Sequence, residues 1–303
     1  AAAWLDFVDI DQIEVLRGPQ GTLFGKNTTA GAFNITSRLP QFNPEATVEV
    51  SYGNLGFIQA KTSISGPLSK KLAARASFSG TQRDGALFNV HTNSRINDIN
   101  NLGFRGQLLY NPHEHIKIVL AGDKSVQRPN GYGWAVAGVV ATQRADYRQF
   151  NNIIADLGYE LPYQSAFERK IDLDTQSKAD NELGGVSLNA DFKIANGTLT
   201  STTAWRYWEW VPLNDRDYLG LPVYTISAGN SVHKQWSQEF RYSGKISENV
   251  TAVAGLFGLW QDLGTDPVHT EEAGSALWRF QQSSTSPLWS TPGLFHNFGI
   301  QTK

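Results

Sequence analysis

The chain contains repeated segments of about ten residues in which apolar and polar side chains alternate. In segment 72–81, for example, Leu72 and Phe78 share one face, whereas Arg75 and Ser77 share the other. Because successive side chains of a strand point to opposite faces, this alternation predicts half-buried β-strands. Strands are predicted at 47–52, 57–64, 72–81, 104–110, 116–123, 183–192, 198–210, 232–243 and 249–262.

The connections between these segments alternate in length. Short connections are predicted at 66–71, 111–115, 193–197 and 244–248, and long polar ones at 83–100, 127–181 and 211–230. Outer-membrane barrels have short periplasmic turns and long extracellular loops. The alternation therefore predicts an antiparallel transmembrane barrel and its orientation, whereas a secreted β-sandwich or propeller has no reason to alternate in this way.

Residues 10–38 have a different pattern, with a short apolar run, a break at Arg17-Gly18-Pro19, and closely spaced glycines. The string IEVLRGPQGTLFG followed by AGAFNI resembles the last part of the plug domain of TonB-dependent outer-membrane receptors. Phe33 departs from that family's pattern, which has isoleucine there more often. The matching motif positions are Arg17, Gly18, Pro19, Gly21, Gly25, Gly31 and Asn34.

The resemblance implies an all-β fold with a small α+β plug remnant. Residues 1–40 would be the C-terminal part of the plug, and 41–303 the N-terminal part of the barrel. Because such barrels have ~22 strands, about nine strands suggest an incomplete barrel. The segment that contacts TonB is expected outside this chain, as are the final strands.

The function implied by the resemblance is energy-coupled uptake of a scarce nutrient, most often a ferric siderophore, across the outer membrane of a Gram-negative bacterium. Cobalamin, haem or an oligosaccharide are alternative ligands, and a passive porin or a secreted β-rich enzyme or sugar-binding domain are alternative classes. The partners expected are TonB, outer-membrane lipid and the extracellular ligand. No enzymatic activity and no cofactor are expected.

Composition agrees with this interpretation. The absence of cysteine excludes disulfides and thiol catalysis, and the net charge of −2 offers no basic field for nucleic acid. Aromatic residues make up 12% of the chain, which suits the interfacial girdles of a barrel. The absence of methionine means that Ala1 is not expected to be a translation start.

Arg17 is the first candidate functional residue. Its apolar neighbours predict burial, and a buried arginine requires an acidic partner. Glu239 is predicted on the inner face of a strand, and an Arg17–Glu239 pair would tie plug to barrel. Alternatively, Glu239 pairs with Arg241 or Arg206 on the barrel surface.

The longest loop contains aromatic and basic residues that suit an anionic, aromatic ferric siderophore. The candidate ligand-binding residues are Tyr132, Trp134, Arg144, Tyr147 and Arg148. Ordinary loop packing is the alternative. A second cluster, Trp205, Tyr207, Trp208 and Trp210, is predicted to belong to the girdle near the outer rim.

No metal site is predicted. His113 and His115 flank Glu114, but a solvated turn explains them better than a metal does. Asp172 and Asp174 lack the glycine and terminal glutamate of a calcium-binding loop.

Overall fold

The computed structural model describes residues 9–21, 28–163, 165–265, 269–280, 295–298 and 301–302, so Gly25 of the motif lies outside it. The predicted all-β class is confirmed, and each of the nine predicted strands is present. The strands are β1 Ile10–Arg17, β2 Gly31–Ser37, β3 Glu45–Tyr52, β4 Ile58–Pro67, β5 Leu72–Arg83, β6 Leu87–Asn89, β7 Ser94–Ile96, β8 Ile99–His113, β9 Ile116–Gln127, β10 Lys170–Ile171, β11 Lys178–Ile194, β12 Gly197–Asn214, β13 Tyr224–Ala228, β14 Ser231–Ser247, β15 Val250–Thr265, β16 His269–Ala273, β17 Phe295–Phe298 and β18 Gln301–Thr302.

Nine of these strands form one antiparallel wall. Its order is β3, β4, β5, β8, β9, β11, β12, β14 and β15, so each strand pairs with the next long strand in sequence. The wall does not close on itself within the residues described, as expected of an incomplete barrel.

The two faces of the wall differ in chemistry. The outer face carries exposed apolar side chains such as Phe78, Phe104 and Leu120. The inner face carries Arg75, Ser77 and other polar side chains that are buried. An apolar face exposed on this scale needs a non-aqueous partner, and lipid supplies one for a transmembrane barrel.

Strands β1 and β2 form a separate two-stranded antiparallel hairpin, in which Val15 pairs with Phe33 and Arg17 with Gly31. A single hairpin is marginally stable by itself. Contacts with the inner face of the wall, described below, therefore decide where it lies.

The polar composition of the long connections suggested irregular structure, but parts of these connections are ordered. Strands β6, β7 and β10 form a small sheet, and the same loops contain helix α1, Phe150–Asp156. Helix α2, Leu277–Phe280, lies near the end of the described chain. No helix among the described residues is both long and apolar enough to span a membrane.

These loops pack into a cap with an apolar interior, which we call the loop cap. One cluster joins α1, the β12–β13 connection and α2, and a second joins β7 to the segment around β10. The buried members are Ile154, Leu219, Leu221, Val223, Ala276 and Leu277 in the first cluster, and Ile96, Ile171 and Leu173 in the second.

Candidate functional site

A buried ion pair attaches the N-terminal hairpin to the wall. Asp9, directly before β1, accepts hydrogen bonds from Nε and Nη2 of Arg75 on β5, the second at 2.8 Å. Only 6% of the Asp9 side chain and 1% of the Arg75 side chain are exposed. A charge pair so removed from water holds its position only when hydrogen bonds satisfy it.

Neighbouring groups complete that network. Ser77 donates to Asp9 Oδ2 at 2.7 Å, and Arg75 Nη2 donates to Ser63 at 3.2 Å. The backbone N–H of Arg38 donates to the Asp9 carbonyl at 3.0 Å, so both ends of the hairpin meet at Asp9. Asp9 has a φ of 60°, a left-handed conformation that aspartate tolerates better than most residues.

Burial raises the pKa of Asp9, but the hydrogen bonds from Arg75 and Ser77 and the nearby positive charge outweigh it. The net effect holds the pKa of the Asp9 carboxyl below its usual value. Asp9 is therefore ionised at neutral pH, and the pair is a true salt bridge.

The structure does not bring Arg17 and Glu239 together. Arg17 is exposed rather than buried, like most residues of β1. Glu239 lies on the inner face as predicted, but its nearest cation is Arg241 at 3.8 Å. The observed hairpin–wall pair has the opposite polarity, with the acid on the hairpin and the arginine on the strand.

Farther along the inner face, two arginines share one carboxylate. Arg206 on β12 donates to both oxygens of Asp123 on β9, at 2.7 and 2.9 Å, and Arg105 on β8 reaches the same group at 3.2 Å. Strand β11 lies between Arg206 and Asp123. It is crossed at Gly185, where a Cβ atom would lie 2.7 Å from Cδ of Arg206.

The outer face carries a matching contact at the adjacent residue. Tyr207 passes over Gly184, where a Cβ would lie 3.0 Å from its ring, and donates to Glu182 at 2.7 Å. Lys124 on β9 contacts the same carboxylate at 2.8 Å. Two adjacent glycines thus let long side chains cross β11 on both of its faces.

The four aromatic residues predicted as one girdle are divided between the two faces. Trp205 and Tyr207 lie on the outer face, whereas Trp208 and Trp210 lie on the inner face, since their pairing partners in β11 are Leu183 and Asn181. The prediction of a single cluster was wrong for the second pair, because successive strand residues point to opposite faces and positions 205 and 207 differ in parity from 208 and 210.

The girdle is instead a row across three strands. Trp205, Trp236 and Trp260 stand at directly paired positions of β12, β14 and β15 on the outer face. The next outer-face row carries Tyr207, Lys234 and Asp262. A tryptophan row bordered by charges is typical of a membrane–water interface.

The loop residues predicted to bind ligand have separate positions within the cap. Trp134 is exposed and meets Tyr218 edge-on at 6.5 Å, while Arg279 donates to the backbone carbonyl of Tyr147 at 2.6 Å. Tyr132 and Arg144 are exposed and Arg148 is half-buried. Their role in ligand binding stays a prediction.

The cap contains an acidic cluster that the sequence did not reveal. The Asp215 carboxylate is fully buried and accepts the backbone N–H groups of Asp174 and Tyr218, at 3.1 and 2.9 Å. Burial and the adjacent Asp217 raise the pKa of Asp215 to about 8, and burial raises the pKa of Asp217 to about 6. In the part of the chain that the structure describes, no group of three or more acidic or histidine side chains has a metal-binding arrangement.

No protein-family model matches the chain. The pesticin receptor of Yersinia pestis is 37% identical over 60 residues, which are 20% of this chain and 9% of that receptor. The ferrioxamine B receptor of Salmonella typhimurium is 34% identical over 74 residues, 24% of this chain and 10% of that protein.

Solved structures match far more of the chain. The ferric yersiniabactin uptake receptor FyuA from Yersinia pestis superposes on 88% of it with a TM-score of 0.70 at 18% identity. The siderophore receptor PiuA from Acinetobacter baumannii superposes on 97% with a TM-score of 0.65 at 10% identity. The match covers 38% of FyuA and 42% of PiuA, so the chain spans less than half of either receptor.

At these identities the structural matches establish the fold, and the local sequence matches agree with it. The resemblance predicted from residues 10–38 is confirmed: the chain is similar in sequence and in fold to TonB-dependent outer-membrane siderophore receptors.

Proposed function

We propose that this chain is part of an outer-membrane receptor that imports a ferric siderophore with energy supplied through TonB. In this proposal residues 1–40 belong to the plug and residues 41–303 to the barrel. The ligand binds from outside, TonB pulls on the plug, and no covalent bond changes.

The observation that carries the proposal is the attachment of the hairpin by one buried salt bridge. A passive channel needs no separate element fixed to the inner face of its wall. The Asp9–Arg75 pair holds β1 and β2 there, and its fixed partners make a discrete contact that a pulling force can break.

The named relatives support a ferric siderophore as the ligand. The similar proteins include receptors for ferrioxamine B and ferric yersiniabactin, and a ferric-catecholate import receptor. These ligands differ chemically, so the similarity supports the class of ligand and leaves the individual siderophore open.

The test is uptake by the host bacterium after deletion of the gene that encodes this chain. Under iron limitation, we expect the parent to take up at least one ⁵⁵Fe-labelled siderophore that the deletion strain does not. A protonophore should abolish that uptake in the parent, because the energy comes from the inner-membrane proton gradient.

Three results would contradict the proposal. Unchanged uptake of every ferric siderophore, together with loss of cobalamin, haem or oligosaccharide uptake, would assign a different ligand. Uptake that persists with the protonophore would indicate a passive channel. An intracellular or secreted location of the protein would remove it from the membrane altogether.

A further inference from the structure

The inner face carries two nearly parallel tryptophans, Trp208 and Trp210, which follow the girdle residue Trp205 along β12. The ring planes of Trp208 and Trp210 differ by 11°, and their centroids are 6.4 Å apart. Residues two apart on a strand are separated by about 6.6 Å. The two rings therefore stand nearly parallel, one after the other along β12, and together they form a half-buried aromatic surface.

Hydrogen bonds hold the first ring in place. Nε1 of Trp208 donates to Oδ1 of Asn181 at 2.5 Å, and Asn181 donates to Gln127 at 2.9 Å. Asn181 and Gln127 are both buried. The orientation of Trp208 is thus set by β11 and β9 as well as by its own strand, so the surface is preorganised.

Positive charge lies in the adjacent row of the same face. Arg105 and Arg206 share the single carboxylate of Asp123, which leaves a net charge of +1. The Arg206 side chain is 40% exposed and the Arg105 side chain is 25% exposed. Guanidinium groups in this state retain donors for an anion.

We propose that Trp208, Trp210, Arg206 and Arg105 form a subsite for a planar aromatic anion, such as a phenolate or catecholate arm of a ferric chelate. The ring of the ligand lies against the tryptophans while its oxygens face the guanidiniums. This subsite rests on the proposed uptake function and gives a chemical class to its ligand. It differs from the loop residues predicted from the sequence, since it is built on the strands.

The test is binding of two probes to the purified protein in detergent. Ferric tris(2,3-dihydroxybenzoate) is anionic and aromatic, whereas ferric citrate is anionic without a ring. We expect Trp208→Ala to weaken the aromatic probe about tenfold and to leave ferric citrate unchanged, while Trp208→Phe retains most of the affinity. Arg206→Ala should weaken both probes.

Trp236→Ala is the matched control, because Trp236 lies on the outer face of the neighbouring strand. Equal losses in the Trp208 and Trp236 variants would overturn the subsite. The subsite would also be overturned if Trp208→Ala left the ratio of the affinities for the two probes unchanged. The uptake function would still stand in that case. Failure to bind either probe would overturn the subsite, whereas the uptake function would be decided by the ⁵⁵Fe assay.

Discussion

At Asp9 and Arg75, two opposite charges lie almost entirely out of water and depend on each other. Removing Asp9 would leave the buried guanidinium of Arg75 with a longer contact, to Glu45 at 3.6 Å, and weakening a buried pair in this way costs more than the loss of an exposed pair. For comparison, Arg38 pairs with Glu45 at 3.6 Å with side chains 43% and 33% exposed, and the same Glu45 lies 3.6 Å from Nη1 of Arg75.

We therefore expect Asp9→Ala to weaken docking of the hairpin by about 3–5 kcal/mol. Amide hydrogen exchange in β1 and β2 measures this weakening directly. Arg38→Ala should change protection by about 0–1 kcal/mol. If Asp9→Ala behaves like Arg38→Ala, the buried pair does not hold the hairpin.

Gly185 is a second residue whose identity has a structural reason. A side chain there would overlap the Trp205 carbonyl oxygen and the Arg206 side chain. We expect Gly185→Val to reduce the free energy of unfolding by about 1–3 kcal/mol.

Gly264→Val on β15 is the control for Gly185, because a Cβ at Gly264 meets no atom within 4 Å. That variant should stay within about 0.5 kcal/mol of the parent protein. Denaturant unfolding in detergent compares the two, and equal stability of both variants would contradict the crossing geometry.

The sequence alone could not identify either of these residues. The motif directed attention to Arg17, whereas Asp9 stands in an unremarkable run, and its partner is 66 positions away. Alternation predicted that Arg75 and Ser77 share a face, but it carries no information about which hairpin residue meets that face. Long-range pairing of side chains follows from strand order and register, which local pattern does not specify.

Among the elements, the loop cap contrasts most with its sequence. Its connections are rich in polar residues, yet they bury two apolar clusters and the carboxylate of Asp215. Three-residue strands such as β6 and β7 are too short for periodicity to detect. The long strands were predictable because ten or more residues of alternation accumulate into a clear signal.

The buried carboxylates make the cap sensitive to pH. Raised pKa values mean that the folded cap binds more protons than the unfolded loops between about pH 4 and pH 8. Its stability is therefore greatest at the acidic end of this window and falls as the pH rises through the folded pKa values.

Hydrogen exchange, corrected for intrinsic rates, tests this at the amides of Asp174 and Tyr218. We expect their protection to decrease between pH 6 and pH 8, because Asp215 ionises with a pKa of about 8. Amides in the middle of β9 are the internal control and should keep their protection. Protection in the cap that is constant or rises with pH would contradict the prediction.

For the molecule as a whole, the separation of faces defines how it meets its surroundings. The outer face is apolar up to the row of Trp205, Trp236 and Trp260, and the inner face is polar from Arg75 to Trp210. The alternation predicted this separation of faces, whereas the orientation inferred from the loop lengths stays a prediction. The parity of positions 205, 207, 208 and 210 already divides these four residues between two faces, and the prediction of one aromatic cluster overlooked it.

Quenching by brominated lipid tests the assignment of faces. In vesicles, Trp236→Phe and Trp260→Phe should each lower the quenchable part of the fluorescence, since these rings lie on the outer face. Trp208→Phe should leave the quenched part unchanged. Equal effects of inner-face and outer-face variants would show that the wall does not present its outer face to lipid.

The two glycines in the middle of β11 also bear on how the wall is assembled. Strands with little side-chain bulk slip easily by a residue, and a slip would exchange every neighbour on both faces. Here Arg206 reaches across β11 to Asp123 of β9 on the inner face, and on the outer face Tyr207 and Lys124 of β9 meet at Glu182 of β11, so a slipped β11 would break both sets of contacts at once. The bridge from β12 to β9 closes only after β11 has entered in its correct alignment, which makes the pair of contacts a check on the order of strand insertion.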